Sequence, residues 1–313
     1  MADSDALIEK IEKTEKTEKT GKTGKEAAPQ QKMIRRLFSR RRAPLLLSGA
    51  VLAVLLAAAL AAPLIAPYDP LAIDVQSRLT GPSPEHWLGQ DHLGRDIFSR
   101  LIWGARSSLG SVFAIAVLIM AAGFTLGGIS GFAGGWVDTV IMRACEAFMT
   151  FPTFILALFL IGVFGTGMAN VVLAIVLTHW AWYARIIRGM VLHLKHRDYI
   201  LAARAGGGSA FAIFLRHIAL PVCSQLVILA TLDLGHMMLH VSGLSFLGLG
   251  IQPPSPEWGC MINDARQHIW TNPEQAILPG CMIFLTVLAC NIPGDYLRNK
   301  LDPAIMAGEG GGA

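Results

Sequence analysis

Six long apolar runs decide what this chain of 313 residues can fold into. They lie at 44–66, 109–132, 147–165, 168–187, 222–246 and 277–297. Each meets or approaches the roughly 20 residues a helix needs to cross the hydrocarbon core of a bilayer. A segment in lipid must satisfy its backbone N–H and C=O groups internally, and an α-helix does so within one run. The spacing therefore predicts an all-α integral membrane protein with six transmembrane helices. A composition of 53% hydrophobic and 15% charged residues, with a mean hydropathy of +0.50, points the same way.

Charge sets the expected orientation. Twelve of the 26 Lys and Arg residues fall in the first 42 positions, and RRLFSRRR (35–42) abuts the first apolar run. Positive flanks stay inside, so the N-terminus is expected in the cytoplasm, and an even number of spans returns the C-terminus there. The first run exceeds a signal peptide's core and predicts an uncleaved anchor. The loop after the fourth run carries Arg185, Arg188, Lys195, Arg197, Arg204 and Arg216 against Asp198 alone, as an inner loop should. The outer loops, 67–108 and 247–276, lack that excess; the inner loop at 134–143 is nearly neutral.

The net charge of +4 comes from segregated flanks, so no nucleic-acid partner is expected. Five cysteines, four of them in apolar runs, suggest no disulfide framework. The segment EKTEKTEKTGKTGKE has no apolar face and predicts a disordered tail. Its Gly21-Lys22-Thr23 lacks the glycine of a phosphate-binding loop, because Lys16 stands in that place. Four parts are expected: a charged tail with its basic flank (1–42), a first helix with an outer loop (43–108), a five-helix core (109–303) and a flexible end (304–313).

The inner loop reads DYILAARAGGGSAFAIFLRHIALP (198–221). A helical stretch meets Gly206–Gly208, where the chain must turn, and a second amphipathic stretch follows. Such an element fits a cleft on a soluble partner, or lies on the membrane surface. Ala202, Ala203, Gly207, Ile218, Leu220 and Pro221 resemble the "EAA" loop of ABC importer permeases, with Leu201 in place of the usual glutamate. HWLGQDHLGRDIFSRLIWGARSSLG (86–110), FMTFPTFILA (148–157) and LSFLGLGIQPPSPEWGCMINDAR (244–266) resemble the C-type subunits of the peptide/nickel permease family, and the likeness runs from about residue 43 to 303. This resemblance implies the type I ABC importer permease fold in the bacterial inner membrane. It implies a B-type permease as heterodimer partner, two cytoplasmic ATPase subunits docked on the 198–221 loop, and an extracytoplasmic solute-binding protein. No catalytic residue and no bound cofactor are expected.

Ionisable groups at bilayer depth usually face a path or a bundle interior. Glu146 and Asp295 lie near span ends, where water reaches them. His179, flanked by Trp180 and Trp182, is expected to be a packed ring with one hydrogen-bond partner, a place on the path being the other reading. Asp233, His236, Met237 and His240 fall at roughly 0°, 300°, 40° and 340° around one helix, a single stripe. Two imidazoles and a carboxylate suit nickel, copper or zinc. The plainer reading is a hydrogen-bonded Asp–His pair pinning the helix, with Met237 filling a gap. LDLGHMMLHVSGLSFLGLG, HWAWYAR and NDARQHIW resemble the nickel-importing members. That resemblance implies a path for nickel, as substrate, lined by Asp233, His236, His240 and Met237. A peptide-type permease, a secondary metal transporter and a membrane metalloenzyme with a closed site are the alternatives.

Overall fold

The structure is a computed structural model that describes residues 27–301, with side chains from 44 to 298. The EKT repeats and the 304–313 end lie outside the described residues. The chain divides into two units, 1–47 and 48–313. The described part of the first unit is the start of helix α1 (Ala27–Leu60), so helix begins within the segment expected to be tail. The second unit continues α1 and adds α2 (Ala62–Ile65), α3 (Ile97–Ala133), α4 (Gly135–Thr150), α5 (Thr153–Phe164), α6 (Met168–Leu194), α7 (Asp198–Ala205), α8 (Ala210–Ile213), α9 (Ala219–Phe246), α10 (Trp258–Ala265) and α11 (Glu274–Leu301). Among the described residues there is no strand, only an isolated bridge between Gln90 and Asp96.

Among the described residues, four helices are long and apolar enough to cross a membrane: 97–133, 168–194, 210–246 and 274–298. The pair α4 and α5 makes a fifth span if taken together, although it bends by 94°. Proline explains where the apolar runs depart from single helices. Pro152 offers no N–H and pushes Phe151 into extended backbone (φ −92°, ψ 139°), so the expected third span breaks there. Pro63 likewise splits the expected first span after Leu60. In the fifth, the chain runs from α8 through a π-helical turn (Phe214–Ile218) into α9, and the widened turn falls just before Pro221. Helix α3 starts twelve residues before its apolar run because Asp96 caps it, accepting from the Ser99 amide at 2.7 Å.

The tightest seam lies between α3 and α6. Gly123, Gly127 and Gly131 recur every fourth residue on one face of α3 and meet Tyr183, Ala184, Ile187 and Val191 of α6. A Cβ on Gly127 would lie 2.4 Å from the Ala184 carbonyl oxygen, so the backbones nearly touch. At the end of this seam nearest the 198–221 loop, Arg188 of α6 forks onto the Asp138 carboxylate of α4, with Nη2 at 2.6 Å, and the Ser130 hydroxyl of α3 donates to the same group. Lys195 donates to the Gly131 carbonyl at 3.0 Å. Helix α11 packs on α9 through two more glycines, Gly235 against Asn291 and Gly294 against Leu232.

Candidate functional site

The α9 stripe separates once its neighbours are in place. Met237 is fully buried beside Met238, turned into the core, whereas the His236 side chain is 69% exposed. Asp233 is held from both sides: the Tyr183 hydroxyl of α6 donates to it at 3.1 Å, and the His236 Nδ1 lies 3.6 Å from its other oxygen. His240 Nδ1 lies 2.7 Å from the His236 carbonyl oxygen. A carbonyl only accepts, so Nδ1 carries the proton and Nε2 presents a lone pair. Among the described residues no three His, Cys, Asp or Glu side chains converge on one point as a metal cage would require.

His179 departs from its expectation as a ring packed by tryptophans. Trp180 meets Phe148 (5.5 Å between ring centres) and Trp182 meets Tyr183 (5.3 Å). His179 instead faces His240 of α9, with centres 5.2 Å apart and planes at 89°. Glu146 pairs with Arg143 at 2.8 Å and both are exposed, and Asp295 is exposed too. Tyr183 carried no sequence signal of its own, because its role depends on which helix stands opposite.

The 198–221 loop turns at its glycines. Gly207 has φ +80°, which favours glycine, and nothing crowds its Cα, so conformation rather than space selects it. The Gly206, Gly207 and Gly208 amides donate to the Ala202, Arg204 and Ala203 carbonyls, closing α7, and the Ser209 hydroxyl caps α8. Ile218 is buried, while Ala202, Leu220 and Pro221 are exposed and Ala203 is half-buried. The loop presents Leu201, Phe211 (76% exposed) and Leu215 outward.

A third constellation, unassigned in the sequence, clasps the 67–108 and 247–276 segments together. Arg95 and Arg100 are buried against Asp91 and Asp264: Arg95 reaches Asp91 at 2.6 Å and Asp264 at 3.2 Å, and Arg100 reaches Asp91 at 3.3 Å. Two guanidiniums and two carboxylates leave no net charge, and the Pro70 and Pro254 carbonyls accept from Arg100 at 3.1 and 3.0 Å. Losing one member of such a buried set costs about 3–5 kcal/mol. Glu257, fully buried, accepts from Ser108 and from the Gly259 and Cys260 amides, starting α10. Trp258 donates to the Leu101 carbonyl at 3.0 Å in the space Gly104 leaves open. Burial pushes the Cys260 thiol up to about 12 and lowers His92, whose ring stacks on His268 at 5.8 Å.

Residues 123–307 match the family described as binding-protein-dependent transport system inner membrane component, and residues 29–82 match the N-terminal TM domain of oligopeptide transport permease C. The chain is 55% identical over 240 residues to the nickel transport system permease protein NikC of Escherichia coli (strain K12), spanning 77% of this chain and 87% of that protein. It is 42% identical over 261 residues to the glutathione transport system permease protein GsiD of Pectobacterium atrosepticum, spanning 83% and 87%. Its apolar helices, its glycine-packed core and these matches lead to one assignment: the chain belongs to the inner membrane components of binding-protein-dependent transport systems, multi-pass permease subunits of ABC importers that work with other permease, ATPase and binding-protein subunits and are not enzymes.

Proposed function

We propose that this permease imports nickel, as the free ion or a small chelate, into the cytoplasm of a bacterium. The observation that carries the reading is the α9 stripe: Asp233, His236 and His240 place a carboxylate and two imidazoles on successive turns of a span. Ionisable groups at such depth are costly unless they serve a path. His240 is held with its Nε2 lone pair free, as a nickel donor must be. The two methionines contribute packing to this site rather than ligands, Met237 included. The 55% identical nickel permease supports the same substrate.

The remaining parts fit an ATP-driven cycle. A B-type permease completes the pore, two cytoplasmic ATPase subunits dock on the 198–221 loop, and a solute-binding protein delivers nickel to the face clasped by Arg95 and Arg100. Both termini lie in the cytoplasm. In the loop, Gly207 sets the turn, Ala202 and Ala203 keep α7 thin, and Ile218, Leu220 and Pro221 join it to α9. The exposed Leu201, Phe211 and Leu215 give an ATPase cleft an apolar face to cover. Residues 210–246 are helical throughout, so a push at the loop reaches the stripe as movement of one rod.

The test is radioactive nickel uptake by cells lacking the chromosomal copy, complemented with wild type or with His236→Gln/His240→Gln at equal membrane level. Glutamine keeps a hydrogen bond but is a poor nickel donor, so uptake should fall at least tenfold. Near-normal uptake would sink the metal path. Competition of uptake by excess glutathione or dipeptide, with nickel bound nowhere on the complex, would favour the peptide-type reading instead.

A further inference from the structure

Resting on the nickel reading above, we infer that His179 of α6 is a second donor to the passing ion, so that the path is a station shared by His179 and His240 across two helices. The ring centres lie 5.2 Å apart. Two imidazoles on one ion, each bound at about 2.1 Å, have centres separated by roughly 4.5–6.5 Å depending on the angle at the metal. The pair therefore already stands at the separation that two imidazoles sharing one ion adopt.

Both rings are also set in the same tautomer. His240 Nδ1 donates to the His236 carbonyl. His179 Nδ1 lies 3.4 Å from the Thr178 hydroxyl oxygen, whose only hydrogen is given to the Ile175 carbonyl at 2.9 Å. Thr178 can only accept from His179, so that Nδ1 is a donor and its Nε2 keeps the lone pair. Two imidazoles on facing helices, each with Nδ1 engaged on its own helix, are a donor pair with no mutual hydrogen bond to explain them: they meet edge to face.

The weakness of the site suits transport. Two side-chain donors hold an ion less firmly than a closed cage, and conduction needs sites that release. Asp233, steadied by Tyr183 one turn along from His179 on α6, supplies a negative charge to the same wall. Because the donors sit on α6 and α9, relative movement of the two helices would open the pair and let the ion go.

The experiment uses the assembled transporter, with His179→Gln, His240→Gln and the double variant, reading nickel uptake, thermal midpoint and the imidazole count at bound nickel by X-ray absorption. His179→Gln should lower uptake at limiting nickel at least fivefold without moving the midpoint, and should remove one imidazole from the bound ion. The double variant should be no worse than His240→Gln alone, since both rings serve one ion. Normal uptake by His179→Gln with impaired His240→Gln would overturn this pairing and leave the nickel reading standing. Unimpaired uptake by all three would overturn both. Losses that multiply, or a fall in midpoint that accounts for the lost uptake in both His179→Gln and His179→Asn, would mark His179 as structural and refute the inference.

Discussion

Gly127→Ala tests the seam on which the site depends. The new Cβ would lie 2.4 Å from the Ala184 carbonyl oxygen, 3.0 Å from its Cα and 2.9 Å from the Ile187 Cβ. Backbone cannot swing aside as a flexible side chain can, so α3 and α6 must part by about 1 Å to restore ordinary contact. A gap of that size forfeits a quarter to a half of each ~0.1–0.2 kcal/mol dispersion contact, and a seam of some tens of contacts therefore loses ~1–2 kcal/mol. This falls within the usual cost of overpacking, about 1–3 kcal/mol. Alanine's better helix propensity returns ~0.5–1 kcal/mol. Gly110 on the same helix isolates that gain, since a Cβ there meets nothing within 4 Å. A displacement of α6 on that scale also disturbs the Tyr183–Asp233 hydrogen bond to α9, now 3.1 Å long. For Gly127→Ala the purified transporter in nanodiscs should therefore show a lower thermal midpoint, and complemented cells a reduced nickel uptake, with neither for Gly110→Ala. Equal midpoints and equal uptake for the two variants would refute the account of the seam.

Two further outcomes are expected. Gly207→Asp puts a side chain where φ is +80° and a charge on the loop's outer face, so co-purification of the ATPase subunits should fall at least tenfold while membrane level is kept; undiminished co-purification would contradict docking there. His92 has its pKa lowered by burial, so the unfolded chain takes up a proton before the folded one does. Stability is thus intact above the ordinary histidine range near 6.5 and is lost as pH falls through it toward the lowered value; thermal midpoints measured from pH 7.5 to 5 should drop more for wild type than for His92→Gln, and parallel curves would count against the buried ring.

The long helices were legible because lipid leaves the backbone one economical solution, and the length of an apolar run then reports the length of a span. Their ends were not, because hydropathy reports where lipid is, whereas Asp96 and Ser209 begin helices in water by capping them. Pro63 and Pro152 were visible as residues, and each breaks its run. Pro221 does not, since the chain widens into a π turn ahead of it and stays helical. The same proline chemistry thus gives a break or a continuous rod, depending on whether the preceding turn can rearrange to leave its missing N–H without a stranded acceptor.

The site divides along a similar line. Helical geometry alone puts Asp233, His236 and His240 on one stripe, because residues three and seven apart share a face whatever surrounds the helix. It cannot say which edge of a stripe some 100° wide faces inward, and packing sends Met237 into the core and His236 out of it. Nor could it pair residues fifty positions apart: Tyr183 reaches Asp233 because Gly123 lets α6 sit close to α3, and that approach sets how α6 stands against α9. The tryptophans around His179 looked like its packing partners, but Trp180 points about 100° away on the helix and meets Phe148, while Trp182, about 60° away, packs on Tyr183. The Arg95, Arg100, Asp91 and Asp264 clasp was hidden for the same reason: Asp91 lies beside both arginines in the chain, but Asp264 stands more than 160 residues away, and only the meeting of the two outer segments brings the second carboxylate that balances the second guanidinium.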